Sequence, residues 1–470
     1  MNVSLPLLES RDALWKVETN GINPIATQAR HGSARDLFWV WFAGNLSFTY
    51  VVIGAVVWSY GLSLWQSLLV LAIGLSSFVV IGYLGIPGVA TGLPTMAFSA
   101  RYFGKQGNRV MASVSWLNMV GWETIVLIVA SFTVATMLHL IFGVGSTALW
   151  LVVSLMFSGM LEFSLAFIGH ATIEYLQRWV SYIFGFLTLV ILLTLLPHVN
   201  WHDVWFHPSG PWLAGVIPSI TVVVAVSALS WVTTAADYTR YLPEETSHRR
   251  VVSATTWGAI IPTALLMAVG LLLGQSAPAL ANATNPVELL LHWLPAWAQV
   301  PYLLITLVGI LAGGVLCAYS SGLSLLAAGI KMPRSRTIAV DGVISVTASL
   351  YVLLISQGFI VNFEGFLSLV AALLAPWAAI ALLNVRLSIR VSGTPAIVSW
   401  LAGTILGLAT TSTVIFTGPL AVGIFRESSL GYLVGFVVTA VIYHIWTFKQ
   451  NPLVLNIKSV TASNILTLAG

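Results

Sequence analysis

The sequence predicts an all-α integral membrane protein of about twelve transmembrane helices, and three observations lead there. Of its 470 residues, 58% are hydrophobic and only 7% are charged, against roughly 25% charged in an ordinary soluble domain. That composition excludes a soluble globular enzyme. The apolar residues gather into runs long enough to cross a bilayer, and the positive charges fall almost entirely between alternate runs.

A crossing helix needs about 20 mostly apolar residues. Twelve such runs occur, at about 37–59, 62–84, 110–138, 146–168, 171–196, 213–236, 252–275, 298–329, 337–357, 360–385, 396–417 and 429–448. Residues 1–36 form a polar N-terminal segment, 37–448 a single membrane domain and 449–470 a tail, with both termini on the cytoplasmic side. The check is the Lys and Arg distribution, because short cytoplasmic loops carry an excess of them. Arg11, Lys16, Arg30, Arg35, Arg101, Lys105, Arg109, Arg178, Arg240, Arg249, Arg250, Lys331, Arg334, Arg336, Arg386, Arg390, Lys449 and Lys458 fall inside, and Arg426 alone falls outside. A missed span would invert every later loop, so the net charge of +4 reads as topology. The first thirty-five residues lack the apolar core of a secretory signal. The 85–109 connection, with Gly85, Pro87, Gly88, Gly92 and Pro94 ahead of Arg101, Lys105 and Arg109, reads as an inside loop.

A few polar residues do not suit a purely structural bundle. In the first run, Gly44 and Asn45 weaken a helix at mid-depth, while Asn45, Ser47 and Thr49 can satisfy the backbone groups that a break sets free. Interrupted helices near the midplane are a common way to build a substrate or ion site; a small-residue packing face is the competing reading. The third run holds Asn118, Gly121, Trp122, Glu123 and Thr124. A carboxylate at that depth must face a cavity, pair or hold a proton, which makes Glu123 the first ionisable candidate. Trp122 offers a flat apolar face suited to stacking a planar ring, unless it faces lipid. Glu162 has no partner near it in sequence. Ser227, Ser230, Thr233 and Thr234 surround Trp231, although membrane hydroxyls often bond the preceding turn instead. Asp237 and Arg240 close the sixth run, where pairing or gating fits better than substrate contact. Asp341, Glu364 and His444 lie near run ends and read as solvated.

The composition also excludes. Charges this sparse make no nucleic-acid footprint. A single cysteine, Cys317, permits no internal disulfide and no cysteine-ligated metal. No phosphate-binding glycine loop and no Ser/His/Asp arrangement at one depth appears, so no enzyme chemistry, cofactor or metal is expected.

The chain resembles the nucleobase:cation symporter-1 family, the purine/cytosine permeases with their hydantoin and allantoin carriers. The resemblance is collinear over nearly the whole length. It rests on Gly21-Ile22-Asn23-Pro24-Ile25, Arg35-Asp36-Leu37-Phe38-Trp39, Trp41-Phe42-Ala43, Thr91-Gly92-Leu93-Pro94-Thr95, Phe103-Gly104, Gly107-Asn108 and Gly121-Trp122. Further on it rests on Ala236-Asp237-Tyr238-Thr239-Arg240-Tyr241-Leu242-Pro243, Tyr319-Ser320-Ser321-Gly322-Leu323-Ser324-Leu325 and Ala375-Pro376-Trp377-Ala378. It implies two inverted five-helix repeats, about 37–196 and 213–385, two peripheral helices over about 396–448, and breaks in the first and sixth helices. Sequence shows the first break but no mid-span Gly or Pro in the sixth. The resemblance further implies that Trp122 stacks the heterocycle and that Leu46, Ser47, Ser227 and Ala228 line the pocket.

Two departures shape the expected function. Sodium-coupled relatives bind the ion between carbonyls matched here by Ala43 and Leu46 and two hydroxyls of the eighth span, yet 308–318 contain no Ser or Thr. A hard cation wants oxygen ligands, so proton coupling is expected, with Glu123 first and Asp237 second as the titrating group. Where relatives carry amides for the ring edge, this chain has Val126, Gly313, Gly314 and Cys317; the edge is then left to Glu123, Asn118, Asn45, Ser47, Ser227 or the backbone. The expected protein is a proton-coupled importer of a nucleobase or similar planar heterocycle in the plasma or inner membrane. The alternatives are a sodium-coupled carrier, an amino-acid or other metabolite carrier of the same fold, and a polytopic enzyme or receptor.

Overall fold

The computed structural model describes residues 12–145, 147–356, 359–385, 393–413, 416–428 and 430–450, without the side chains of 359–364, 367, 368 and 448–450. Expectations for Arg11, Arg386, Arg390, Lys458, the Glu364 and Lys449 side chains and the tail past 450 fall outside these residues. The described chain is helical, with one isolated bridge between Ser412 and Thr417.

The helices are α1 Ala34–Gly44, α2 Thr49–Ser59, α3 Leu64–Ser76, α4 Phe78–Leu84, α5 Ile86–Thr91, α6 Thr95–Phe142, α7 Ala148–Ile168, α8 His170–Leu195 and α9 Trp201–Phe206. There follow α10 Ile217–Val224, α11 Ala235–Thr239, α12 His248–Gly274, α13 Pro286–Leu291, α14 Ala296–Ala327, α15 Arg334–Leu354, α16 Phe359–Val385, α17 Gly393–Ala409, α18 Ile424–Ser428 and α19 Gly431–Gln450. Among the described residues, 8 helical stretches are long and apolar enough to cross a membrane. The pair α1 and α2, bent by 63°, makes a ninth, and shorter apolar helices lie in α16, α17 and α19.

Two differences from the sequence reading bear on the site, and at the periphery the run read as 396–417 is helical only to Ala409. The 85–109 stretch is largely helix: α5 ends at Gly92, whose φ of 67° reverses the chain, and α6 begins at Thr95 with a kink at Gly104 (φ 66°, ψ 171°). Asn108 donates to the Met96 carbonyl at 2.8 Å and holds the two sides of that kink together. The sixth run is also not one helix. A wide-turn segment Ala225–Leu229 continues α10, and the chain then turns at 232–234 before α11. Val232, Thr233 and Thr234 are three β-branched residues in a row, which are stiff at χ1 and poor in helices.

Core packing explains how a broken helix is held. The first span lies along α12 with backbone against backbone: a Cβ at Gly258 would collide with the Phe38 carbonyl, at Gly54 with that of Met267 and at Gly270 with that of Val51. Small residues at such contacts allow close approach, which drives association inside a bilayer where no hydrophobic effect operates between helices. The pairing of α6 with α14 forms the centre. The peripheral pair α17 and α19 repeats the device, with Gly403 and Gly431 pressed against Thr439 and the Gly407 carbonyl.

Candidate binding site at two helix breaks

The first break is built from its own polar residues. Helix α1 stops at Asn45 (φ −105°, ψ 6°), whose side-chain amide donates back to the Trp41 carbonyl at 2.9 Å. Its amide oxygen accepts from the Tyr50 hydroxyl at 2.7 Å, which ties the break to α2. The Leu46 N–H returns to the Ala43 carbonyl at 3.1 Å, and Ser47 Oγ accepts the Thr49 N–H at 3.3 Å while donating to Thr49 Oγ1 at 3.2 Å. The Trp41 and Ala43 carbonyls released by the break are thus satisfied locally, as a buried backbone requires. Asn45, Ser47, Ala43 and Leu46 are all buried.

Helix α14 closes one side of this break with bare backbone. A Cβ at Gly309 would collide with the Leu46 carbonyl, and one at Gly313 would stand 3.0 Å from the Gly44 carbonyl. No side-chain oxygen of 308–318 reaches the break, because that stretch has none. The Ala312 carbonyl is taken by Gln177 Nε2 at 2.8 Å.

The second break faces the first through aromatic rings. Trp41 meets Trp231 edge to face at 5.6 Å and Tyr238 at 5.6 Å, and Tyr238 donates to the Leu316 carbonyl at 2.9 Å. From α6, Asn118 Nδ2 donates to the Ser230 carbonyl at 2.9 Å, at the edge of the sixth-span break. Trp122 lies one turn further, about 40° round the helix at 3.6 residues per turn, so it shares Asn118's face. Gly121 beside it admits the Phe366 ring, which a Cβ would strike. Three polar atoms near these breaks are buried without a hydrogen-bond partner: Asn118 Oδ1, Trp41 Nε1 and Thr233 Oγ1. Buried polar groups are ordinarily paired. Two acceptor-capable oxygens and one donor are therefore left without a partner at the two breaks.

Not every predicted residue joins this face. Glu123 lies about 100° from Trp122 and accepts from Ser345 Oγ of α15 at 2.8 Å, with its other oxygen unpaired. Glu162 is buried on α7 with both oxygens unpaired, beside Gly314 and within electrostatic reach of Glu123. Ser227 donates to the Val223 carbonyl, the intrahelical alternative foreseen for it, and Ala228 is buried in the wide turn. Asp237 joins helix ends: its Oδ1 accepts the Thr95 N–H at 2.8 Å, while Thr95 Oγ1 accepts the Ala236 N–H at 2.9 Å.

Asp341 corrects the sequence reading. It is buried, accepting from Trp116 Nε1 at 2.7 Å and Ser321 Oγ at 2.8 Å; proximity to a run end hid partners that only α6 and α14 supply. His444 is exposed, as expected. Thr233 and Trp231, noted in the sequence only as members of a hydroxyl cluster, and Trp41, noted only as part of a motif, are brought to the two breaks. The stiff Val232-Thr233-Thr234 run was the available signal for the second break.

The N-terminal segment is folded across the bundle end where α7, α11 and α15 meet. Glu18 receives Arg240 Nη2 and the Tyr241 hydroxyl, each at 2.7 Å, and its N–H donates to the Ile168 carbonyl at 2.7 Å. Arg240 also reaches the Tyr319 hydroxyl at 2.9 Å and the Gly21 carbonyl at 2.7 Å. Burial opposes ionisation of Glu18, but the Arg240 and Arg334 guanidiniums outweigh it and hold the carboxyl below its usual range.

An apolar cavity opens at the other side of the first break, lined by Leu46, Phe48, Leu192, Val269, Tyr302 and Thr306 among others. Trp122 and Asn118 are not in its walls.

A family described as permeases for cytosine/purines, uracil, thiamine and allantoin matches residues 24–390. A putative purine-cytosine permease, YxlA of Bacillus subtilis (strain 168), is 27% identical over 466 residues, covering 92% of this chain and 96% of its own. The purine-cytosine permease FCY2 of Saccharomyces cerevisiae is 23% identical over 334 residues, 70% of this chain and 60% of its own. Among solved structures, the nucleobase-cation-symport-1 transporter Mhp1, closed with bromovinylhydantoin bound, superposes with a TM-score of 0.70 at 16% identity over 92% of this chain and 96% of that one. A Na+-coupled sialic acid symporter in an outward-open state gives 0.63 at 12% identity, over 88% and 90% of the two chains.

Proposed function

Because this chain belongs to the nucleobase:cation symporter-1 permeases, the family matched over residues 24–390, we propose that it is a secondary-active importer of a nucleobase or related planar nitrogen heterocycle. The observation that carries the reading is the shared face of Trp122 and Asn118 on α6, turned toward the break of the sixth span with Asn118 Oδ1 and Thr233 Oγ1 buried and unpaired. Trp122 stacks the ring, which suits a flat heterocycle of any substitution. Asn118 and Thr233 bond its edge, and Trp41 offers an N–H from the first break. Ser47 and Ala228 shape the pocket, while Ser227 spends its proton within its own helix.

Proton coupling is part of the proposal. Residues 308–318 of the eighth span carry no hydroxyl and meet the Leu46 and Gly44 carbonyls with the bare backbone of Gly309 and Gly313, and the Asn45 amide already occupies the Trp41 carbonyl. A sodium ion there lacks the oxygen shell that hard cations take. Glu123, off the stacking face and hydrogen-bonded to α15, is the proton carrier of this reading; Asp237, engaged at a helix junction, is the second candidate. The transport cycle alternates access around the two breaks. Twelve crossings with both termini cytoplasmic, in a plasma or inner membrane, and two inverted repeats over about 37–196 and 213–385 complete the architecture.

The test is uptake of radiolabelled cytosine, hypoxanthine, hydantoin and allantoin into proteoliposomes under an imposed proton gradient or an imposed sodium gradient. Accumulation of at least one of these driven by the proton gradient alone is expected. Accumulation that requires sodium and ignores pH would overturn the coupling, and failure to accumulate any of the four under either gradient would overturn the substrate class.

A further inference from the structure

Away from the two breaks, three metal-ligating side chains converge where the N-terminal segment meets the start of α8. Asp12 Oδ2 lies 3.4 Å from His170 Nδ1 and 3.6 Å from His31 Nε2, and the three atoms fall within 4.8 Å of one another. Ligand atoms bonded to a tetrahedral zinc at about 2.0–2.1 Å stand roughly 3.3 Å apart. An octahedral magnesium shell with similar bonds places neighbouring ligands about 3.0 Å apart. The two Asp12 distances lie within a few tenths of an ångström of the tetrahedral spacing. Two imidazoles and one carboxylate also form a donor set suited to a borderline metal. A fourth ligand is near: Glu174 Oε2 lies 3.9 Å from His170 Nδ1, one helical turn along α8.

Each ligand is held by something other than its own preference. Trp15 has a φ of 62° and is the one non-glycine with a left-handed backbone among the described residues, a conformation that persists only where surroundings enforce it. Its N–H donates to Thr172 Oγ1 at 2.8 Å, which turns Asp12 over the first turn of α8. Gly32, with a φ of 89°, lets the chain reverse after His31 where a Cβ would sit 3.5 Å from the Glu174 carboxylate. The His170 ring is stacked on Tyr241 at 4.1 Å and 19°. Asp12 and His170 side chains are 5% and 4% exposed, while His31 is 35% exposed and leaves a path from solvent. Such pre-placed, half-closed ligands resemble a clamp more than a surface ion pair.

We propose that Asp12, His31 and His170, with Glu174 as fourth ligand, form a zinc-class divalent metal site that staples the N-terminal segment to the start of α8. The site is independent of what the two breaks carry. An ion pair of Asp12 with protonated imidazoles would place the same residues together without a metal, and the experiment separates the two.

The full-length protein, purified in detergent and stripped with EDTA, is titrated with Co2+ and then Zn2+. The expected result is the intense visible absorption of tetrahedral cobalt, abolished by one equivalent of zinc, with Asp12→Asn and His31→Gln each weakening zinc binding at least about 100-fold. A second readout needs no affinity: trypsin cleavage after the exposed Lys16 slows on adding zinc to the wild type and not to Asp12→Asn. Absence of a tetrahedral cobalt spectrum in the wild type overturns the site, as does equal zinc protection of the variant. Because the wild-type spectrum alone can refute it, a variant that fails to fold leaves the test intact.

Discussion

Trp122, Asn118 and Glu123 divide their labour by helical angle. Six residues of one helix, Asn118 to Glu123, hold the proposed ring-stacking face, an unpaired amide oxygen and a carboxylate bonded to Ser345 of α15. Stacking of a base on an aromatic ring is worth about 1–3 kcal/mol by alanine substitution, so Trp122→Ala should raise the transport KM roughly 5- to 150-fold with protein still in the membrane; initial-rate uptake over a concentration series checks this. Glu123→Gln keeps the Ser345 contact and removes the titratable proton. It should preserve substrate exchange between equal internal and external pools while abolishing accumulation against a gradient, a split that counterflow and net uptake read separately. Ser227→Ala should change KM little, since that hydroxyl donates to Val223. A carboxylate at mid-span announced Glu123 in the sequence, but its orientation toward Ser345 depended on a residue 222 positions further along the chain.

At the scale of elements, the two breaks were legible to different degrees for a physical reason. Gly44-Asn45 advertises its break through composition, because glycine is weak in a helix and asparagine bonds its own backbone. The sixth-span break hides in Val232-Thr233-Thr234, residues that membrane helices often tolerate, and the Asn118 contact with the Ser230 carbonyl helps fix it. The pairing of the first span with α12 is held by Gly54, Gly258 and Gly270. Gly270→Ala pushes a methyl group into the Val51 carbonyl and should cost about 1–3 kcal/mol through overpacking. A lowered melting temperature in detergent, together with weaker uptake, is the expected outcome; an unchanged melting temperature would mean that the helices separate freely.

For the whole molecule, the N-terminal segment and the ends of α7, α11, α14 and α15 are closed over one another by Glu18, Arg240, Arg334, Tyr241 and Tyr319. Removing one partner of a buried ion pair costs about 3–5 kcal/mol because the remaining charge stays desolvated. Glu18→Ala should therefore shift the protein toward opening on this side. The native Cys317, the single cysteine and buried in α14, reports the shift: a small maleimide should label it faster in Glu18→Ala than in the wild type, and equal rates would show that this network does not hold the closure.

The sequence by itself determined the membrane class, the apolar runs, the first break and a family resemblance that residues 24–390 bear out. These follow from composition and from short periodic patterns, which bilayer physics reads one helix at a time. Tertiary structure alone decided that Asp341 is buried and paired, that Trp122 and Glu123 face different neighbours, and that Glu18, Asp12 and His31 reach back to α8 and α11. A side chain's direction is local, but the carbonyl, carboxylate or ring that it meets comes from elsewhere in the chain, and in a low-dielectric interior that partner fixes whether a polar group binds, bridges or waits.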